Sequence, residues 1–311
     1  MSVISKQVKA EKNPENSSKP IRSLLFVPAD SEKKISRGLQ GTADALVLDL
    51  EDSVAPDRKE HARQSIAELL SAPAPGYSGE LWVRINPLTT PYAIEDLCAV
   101  VTPSLTGILL PKCEGPADVA TASNFISALA AKSGIADANI GILAVATETA
   151  AAPFALGEYR NADLPRLWGL TWGAEDLSSA IGAATNVSPD GQWAFTYRMV
   201  RSQCLLAAKS AGVRAIETLY VDFRDDAGLM ASCKEARREG FNGRFAIHPA
   251  QVDIINEAFM PSLDEVNEAQ RILAAFEAAG NAGTVGLDGK MLDIPHLIQA
   301  QKVLELHESF R

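Results

Sequence analysis

From Ile21 onward, short runs of consecutive apolar residues alternate with longer segments of helical period. The runs are RSLLFVP (22–28), DALVLDL (44–50), ELWVRIN (80–86), TGILLPK (106–112), NIGILAVATE (139–148), LPRLWGLTW (164–172), VRAIETLY (213–220) and NGRFAIHP (242–249). Most are apolar on adjacent positions and do not alternate with polar ones. A strand covered on both faces needs that pattern, so the runs predict a parallel sheet. Between them lie helix-like segments such as DRKEHARQSIAELLS and GPADVATASNFISALAAKSG. Asp57 stands where an N-cap or first-turn acid belongs in the first, and Gly134 where a helix C-cap belongs in the second. Eight strands alternating with helices is the count of a (β/α)8 TIM barrel. A doubly wound open sheet is the alternative, weakened because no GxGxxG follows the first strand.

Two segments stand outside this alternation. Residues 1–20, MSVISKQVKAEKNPENSSKP, are polar and lack the apolar core of a secretory signal, so they are expected to be a disordered leader. After Gly280 the stretch NAGTVGLDGKMLD is rich in small residues, and PHLIQAQKVLELHESF returns to a helical pattern. The expected organisation is therefore a leader over 1–20, a barrel over 21–280 and a lid-like extension over 281–311.

Composition narrows the function. Hydrophobic residues make up 47% and charged residues 22% of the 311, as in ordinary globular enzymes. The net charge of −10 offers no basic field to draw in phosphate backbones or anionic lipid, so neither nucleic acid nor membrane is an expected partner. No apolar run approaches the roughly 20 residues that span a bilayer, and a cytoplasmic location is expected. The four cysteines, Cys98, Cys113, Cys204 and Cys233, are scattered with no CxxC pair, and are read as buried reduced thiols.

In a barrel, the C-terminal strand ends build the active-site face. Those ends carry Asp49, Glu51 and Asp52 on the second strand, Arg84 and Asn86 on the third, and Lys112 on the fourth. They also carry Glu148, then Glu175 and Asp176 beyond the sixth strand, Glu217 on the seventh and His248 on the eighth. So many acids on one face repel one another unless cations offset them, and a divalent metal with Arg84 and Lys112 would do so. Oxygen ligands and few histidines favour Mg²⁺, with Mn²⁺ as the alternative. Taken singly, each residue has a plainer reading: Asp52 or Asp176 as a helix N-cap, Arg84 as a structural ion-pair partner, His248 as a loop hydrogen-bonding group.

The segments RSLLFVPADSEKKISRG, ADALVLDLEDSVAPDRKEHAR, VRINPL, LLPKCEG, ATETAAAPF, WGAEDLSSAIG and FAIHPAQV, in that order, resemble the citrate lyase β-subunit-like family of the HpcH/HpaI aldolase superfamily. The resemblance spans roughly residues 21–306. It implies a (β/α)8 barrel, usually trimeric or hexameric, that binds Mg²⁺ and a coenzyme A thioester. It also implies chemistry at the carbon–carbon bond between an acyl-CoA enolate and a 2-oxo acid. Carried over by motif, the metal ligands would be Glu148 of ATET and Asp176 of GAED, and Arg84 of VRINP would polarise a carbonyl. Arg22, Lys33 and Arg37 match the basic residues that meet the CoA phosphates, although Ala29 replaces the family's usual glycine. Asp49, Glu51, Asp52, Asn86, Lys112 and His248 complete the expected substrate or CoA surface. GKMLDIP matches the lid segment of the malyl-CoA and citramalyl-CoA lyase-like members, so Asp293 is the implied general base, acting in a neighbouring subunit's site. Its plainer reading is an N-cap before Pro295. Three other readings stay open: the citryl-thioester subunit of a citrate lyase complex, a CoA-independent 2-oxo-acid aldolase, and a barrel that binds CoA or an organic acid without catalysis.

Overall fold

The computed structural model describes residues 20–72, 76–135, 139–280 and 282–310. The leader expected over 1–20 lies, apart from Pro20, outside them. Each predicted run contains a strand: β1 (Ser23–Pro28), β2 (Ala45–Asp49), β3 (Glu80–Arg84), β4 (Gly107–Leu110), β5 (Gly141–Val145), β6 (Leu167–Thr171), β7 (Arg214–Glu217) and β8 (Gly243–Ala246). They pair in parallel in chain order, and β8 pairs back onto β1 through Ser23↔Arg244 and Leu25↔Ala246. The barrel is thus closed, and the open-sheet alternative is excluded. The continuous apolar runs have the reason expected of them: every residue of β2, β4 and β8 is buried.

The helices follow the same logic. After β1 comes α1 (Glu32–Leu39), and a 3-10 turn over Pro56–Arg58 that contains Asp57 leads into α2 (Lys59–Ser71). Helix α2 buries Lys59, Ala62, Ile66 and Leu70, one stripe at three- and four-residue spacing. Then follow α3 (Tyr92–Val100), α4 (Pro116–Lys132), α5 (Ala152–Ala155), α6 (Ala174–Ala180), α7 (Phe195–Ser210), α8 (Asp226–Glu239) and α9 (Ala250–Ala258). Gly134, at φ 65°, supplies the left-handed residue just beyond the Ser133 cap of α4. No helix among the described residues is long and apolar enough to cross a membrane. Cys113, Cys204 and Cys233 are buried, but Cys98 is exposed, because on α3 it faces away from the stripe of Ala93, Leu97 and Val100.

Side chains fill the barrel interior from its lower end, where Trp82 occupies space that two glycines leave open. A Cβ on Gly107 would lie 2.3 Å from the indole of Trp82, and one on Gly141 would lie 3.2 Å from it. Trp168 packs edge-on against Trp82 at 4.8 Å between rings, and the Arg214 guanidinium covers Trp168 at 4.5 Å. Above this layer sit Leu109, Val145 and Phe245.

The chain divides into two compact units, the barrel over Ile21–Glu257 and a C-terminal unit from Ala258. The latter contains α10 (Leu263–Ala278), a hairpin of β9 (Thr284–Leu287) and β10 (Lys290–Asp293), and α11 (Ile294–Glu308). Helix α10 opens with a capping box between Ser262 and Glu265. The hairpin turns on Asp288 and Gly289, at φ 52° and 76°, the two positive values that a two-residue primed turn demands. Phe276, Val285, Leu292 and Leu297 form this unit's own core.

Candidate active site

A pocket of about 270 Å³ opens at the C-terminal ends of the barrel strands. Its apolar floor is Phe26, Leu109, Val145 and Phe245, and its polar wall includes Asp49, Arg84, Glu148, Thr171, Glu175 and Asp176. Phe26 and Phe245 stack at 4.9 Å, and the Arg84 guanidinium lies 4.9 Å over Phe26.

Arg84 is the last residue of β3, in register with Asp49 of β2. That register produces a two-pronged ion pair: Nε and Nη2 of Arg84 each donate at 2.7 Å to one carboxylate oxygen of Asp49. The same oxygens accept the backbone N–H groups of Glu51 at 2.9 Å and Ser53 at 3.1 Å. Burial pushes the Asp49 carboxyl up, but the Arg84 bonds and charge with the Ser53 and Glu51 contacts outweigh it, so its pKa lies below 3.8. Burial works against the Arg84 charge as well, and Asp49, Glu51 and Glu148 more than offset it. The third arm, Nη1, reaches the Glu51 carboxylate at 3.0 Å.

Lys112 joins this network from β4. Its Nζ donates to Glu51 at 2.6 Å and lies 3.2 Å from Asp176. Glu51 is buried, and desolvation raises its pKa against the pull of Arg84 and Lys112. Lys112 takes a left-handed backbone, φ 48°, which aims its N–H at Glu148 Oε2 at 2.6 Å.

Glu148 is buried at the mouth of β5, with Asp176 across from it in the first turn of α6. Burial, then the charge of Asp176, pushes the Glu148 carboxyl up to about 8. Gly173 makes room for this acid, since a Cβ there would meet Glu148 Cγ at 2.8 Å and Oε1 at 3.1 Å. Two adjacent acids that burden one another's charge, cradled against a glycine, fit a hard divalent cation. Mg²⁺ takes one or two carboxylates and keeps water on its other positions. Among the described residues no cluster of three or more His, Cys, Asp or Glu could hold a metal ion, so the pair would supply two protein oxygens and leave the remaining positions to water or ligand. Glu175 and Asp176 are not N-caps by side chain: Asn186 donates to Glu175 at 2.8 Å, and Asp176 faces Lys112.

Several expected site residues are elsewhere. Arg22 precedes β1, at the N-terminal end of the barrel, where its guanidinium and backbone N–H bind Asp44 at 2.8 Å. It stands a full strand length from the mouth and cannot meet a ligand there. Asn86 has its side chain consumed: Nδ2 donates to Leu50 O and Asp96, and Oδ1 accepts from Lys59. These bonds tie the end of β3 to α2 and α3 and leave the Asn86 side chain no free polar atom. His248 stacks on Phe223 at 4.9 Å and its Nδ1 accepts the Ala250 N–H, so it closes the start of α9. Glu217 is buried under Trp172 and Arg201, at 2.5 and 2.7 Å. Asp49 grips Arg84 and has no oxygen to spare for a ligand. Glu51 and Lys112 remain at the mouth, with Asp52 exposed beside them. Lys33 and Arg37 are exposed on α1, Lys33 in the first turn nearer the mouth and Arg37 in the last. In the C-terminal unit, Asp293 is the residue before α11, its Oδ1 2.5 Å from His296 Nδ1, which in turn accepts the Asp293 N–H.

Sequence reasoning passed over Lys59 and Asp96. Lys59 Nζ donates to the carbonyls of Leu50 and Glu51 at 2.7 and 2.8 Å, fixing the loop that bears Glu51. A lysine on the otherwise apolar stripe of α2 was the available signal.

A family model described as HpcH/HpaI aldolase/citrate lyase matches residues 22–249, and one described as C-C bond lyase of the TIM-barrel fold matches residues 204–311. The chain is 33% identical to (3S)-malyl-CoA thioesterase of Cereibacter sphaeroides, over 93% of this chain and 95% of that protein. It is 34% identical to citrate lyase subunit beta of Escherichia coli, over 92% and 93%. Among solved structures, protein CitE from Mycobacterium tuberculosis in complex with magnesium, acetoacetate and coenzyme A matches with a TM-score of 0.76 and 30% identity. That match covers 93% of this chain and 98% of the other.

Proposed function

The chain belongs to the HpcH/HpaI aldolase/citrate lyase family, and from that premise we propose that it is a carbon–carbon lyase acting on a 3-hydroxyacyl-CoA such as malyl-CoA or citramalyl-CoA. Cleavage gives an acyl-CoA and a 2-oxo acid, and the reverse reaction joins them. The observation that carries this reading is the aimed guanidinium of Arg84, fixed by Asp49 beside the Glu148–Asp176 acid pair over an apolar floor.

In cleavage, a base takes the hydroxyl proton, the hydroxyl carbon becomes a carbonyl, and the bond to the α-carbon breaks. The electron pair moves onto the thioester oxygen, and the enolate is then protonated. Arg84 meets that developing charge with an arm already oriented, so little reorganisation is needed. Glu148 and Asp176 would hold Mg²⁺, which supplies Lewis acidity toward the oxo-acid oxygens and a template for them; Mn²⁺ suits the same donors. Lys112 offsets the acids that crowd the mouth. Asp293 is the proposed base, offered by the 281–311 lid to a neighbouring subunit in a homotrimer or homohexamer. Lys33, exposed in the first turn of α1, would meet a CoA phosphate.

Incubation with malyl-CoA and citramalyl-CoA plus Mg²⁺ tests the reading: glyoxylate or pyruvate is the expected product. Free thiol measured alongside separates thioester hydrolysis, the activity named for the Cereibacter relative, from carbon–carbon cleavage. Silence on both substrates with Mg²⁺ bound overturns it. The citrate lyase match supports a second reading, a citryl thioester carried by a partner protein, which co-purification with such partners would favour.

A further inference from the structure

We infer that the Thr171 hydroxyl is a substrate-binding group that donates a hydrogen bond to a carboxylate or keto oxygen of the 2-oxo-acid half; this rests on the lyase reading above. Thr171 ends β6 and is 1% exposed, and its Oγ1 has no hydrogen-bond partner in the protein. It lines the same pocket as Arg84 and Glu148. Its register partner on β5 is Val145, and its backbone carbonyl accepts the Ala146 N–H, while the side-chain hydroxyl is left over.

A buried hydroxyl without a partner opposes folding, and the surrounding floor is apolar. Valine would occupy the same space at no such cost. None of the surrounding acids takes the proton of Oγ1: Glu217 accepts from Trp172 and Arg201, and Glu148 Oε2 from the Lys112 N–H. What remains is a ligand oxygen. The pocket wall carries Asp49, Glu148, Glu175 and Asp176 against Arg84, so a substrate carboxylate entering here gains from every neutral donor that faces it. A donor held in the pocket wall is preorganised for that oxygen, and it rejects analogues that lack it.

Thr171→Val and Thr171→Ser test this against ligand-free stability, calorimetric binding of pyruvate and oxaloacetate with Mg²⁺, and turnover. Thr171→Val is expected to unfold at the same temperature as the wild type or higher, because the orphan hydroxyl is gone. It should also lose roughly 10- to 100-fold in oxo-acid affinity and in kcat/KM, the scale of one unmet hydrogen bond at a ligand. Thr171→Ser, which keeps the hydroxyl, should stay within a few-fold of wild type in both. A Thr171→Val protein with unchanged affinity and turnover overturns the inference, as does one that is destabilised, since the hydroxyl would then serve the fold or a buried water. A wild type that turns over neither thioester overturns the lyase reading, while the binding comparison still decides Thr171. Absence of oxo-acid binding by the wild type overturns both.

Discussion

Asp49→Asn removes one charge from the centre of the site while keeping the side chain's shape. Each Asp49 oxygen accepts two hydrogen bonds, one from Arg84 and one from a backbone N–H of Glu51 or Ser53. An asparagine keeps one oxygen and turns an NH₂ toward two of those donors, so two of the four bonds are lost and replaced by facing hydrogens. Hydrogen bonds to charged groups contribute about 1.5–3 kcal/mol each, and breaking a buried ion pair by one partner costs about 3–5 kcal/mol. A loss of about 3–5 kcal/mol in stability is therefore expected, a large part of the roughly 5–15 kcal/mol of a typical domain. Arg84 loses its aim, so kcat should fall by about 10² or more, with a smaller change in KM. Denaturant unfolding and steady-state kinetics on the same protein measure both. The sign with pH is fixed by the depressed Asp49 pKa: its contribution is fully present above 3.8 and fades as pH falls below it. The acid limb of the stability curve should be flatter in the variant. An unshifted unfolding midpoint together with intact kcat would show that the fork does not organise the site.

Gly173→Ala should displace the Glu148 carboxylate, because the new Cβ would lie 2.8 Å from its Cγ; Mg²⁺ binding by calorimetry should weaken at least about tenfold, and unchanged affinity would refute the cradle. Mg²⁺ must displace the proton that Glu148 carries below about 8, so affinity should fall about tenfold per pH unit below that value and level off above it. A flat profile would show that Glu148 is ionised without metal. The same raised pKa makes the ligand-free fold bind an extra proton, so its stability should decline as pH rises from 4.5 toward 8 and recover with Mg²⁺. Asp293→Asn keeps a good helix cap and should leave thermal stability nearly unchanged while kcat drops by about 10²–10⁴. Mixing it with an Arg84→Ala variant should restore part of the activity if the base acts between subunits; unchanged kcat in Asp293→Asn would reduce it to a cap.

The barrel was legible because each strand is buried on both faces, and such strands need apolar side chains on adjacent positions. Arg84, Glu148 and Asp176 were legible for a related reason: a charged residue at the end of an apolar run has one place to go, the mouth. The same logic failed where direction along the strand decides. Arg22 precedes its run and so lies at the far end, pairing with Asp44, although it is as basic and as close to an apolar run as Arg84. Asn86 follows its run, but Lys59 and Asp96, from two different helices, absorb its polar atoms. Such long-range partners leave no trace in local spacing. Thr171 was hidden for the opposite reason, since a threonine inside LWGLTW looks like ordinary β-branched filling. Only the geometry shows that its hydroxyl is unmatched.

The indole of Trp82, seated in the gaps of Gly107 and Gly141, turns the barrel into a well with a sealed bottom. Nothing passes through; whatever is formed at the Phe26–Phe245 floor must leave by the mouth it entered. Two fragments born in such a well cannot depart independently. The piece lying deeper is trapped until the one above it has gone, so the architecture itself imposes a sequence of departure. In cleavage the coenzyme-bearing fragment, too large for a space of about 270 Å³, is the upper one and leaves first. Product inhibition should then be competitive for the small oxo acid against the intact thioester and noncompetitive for the acyl-CoA, and the reverse pattern would place the fragments the other way up.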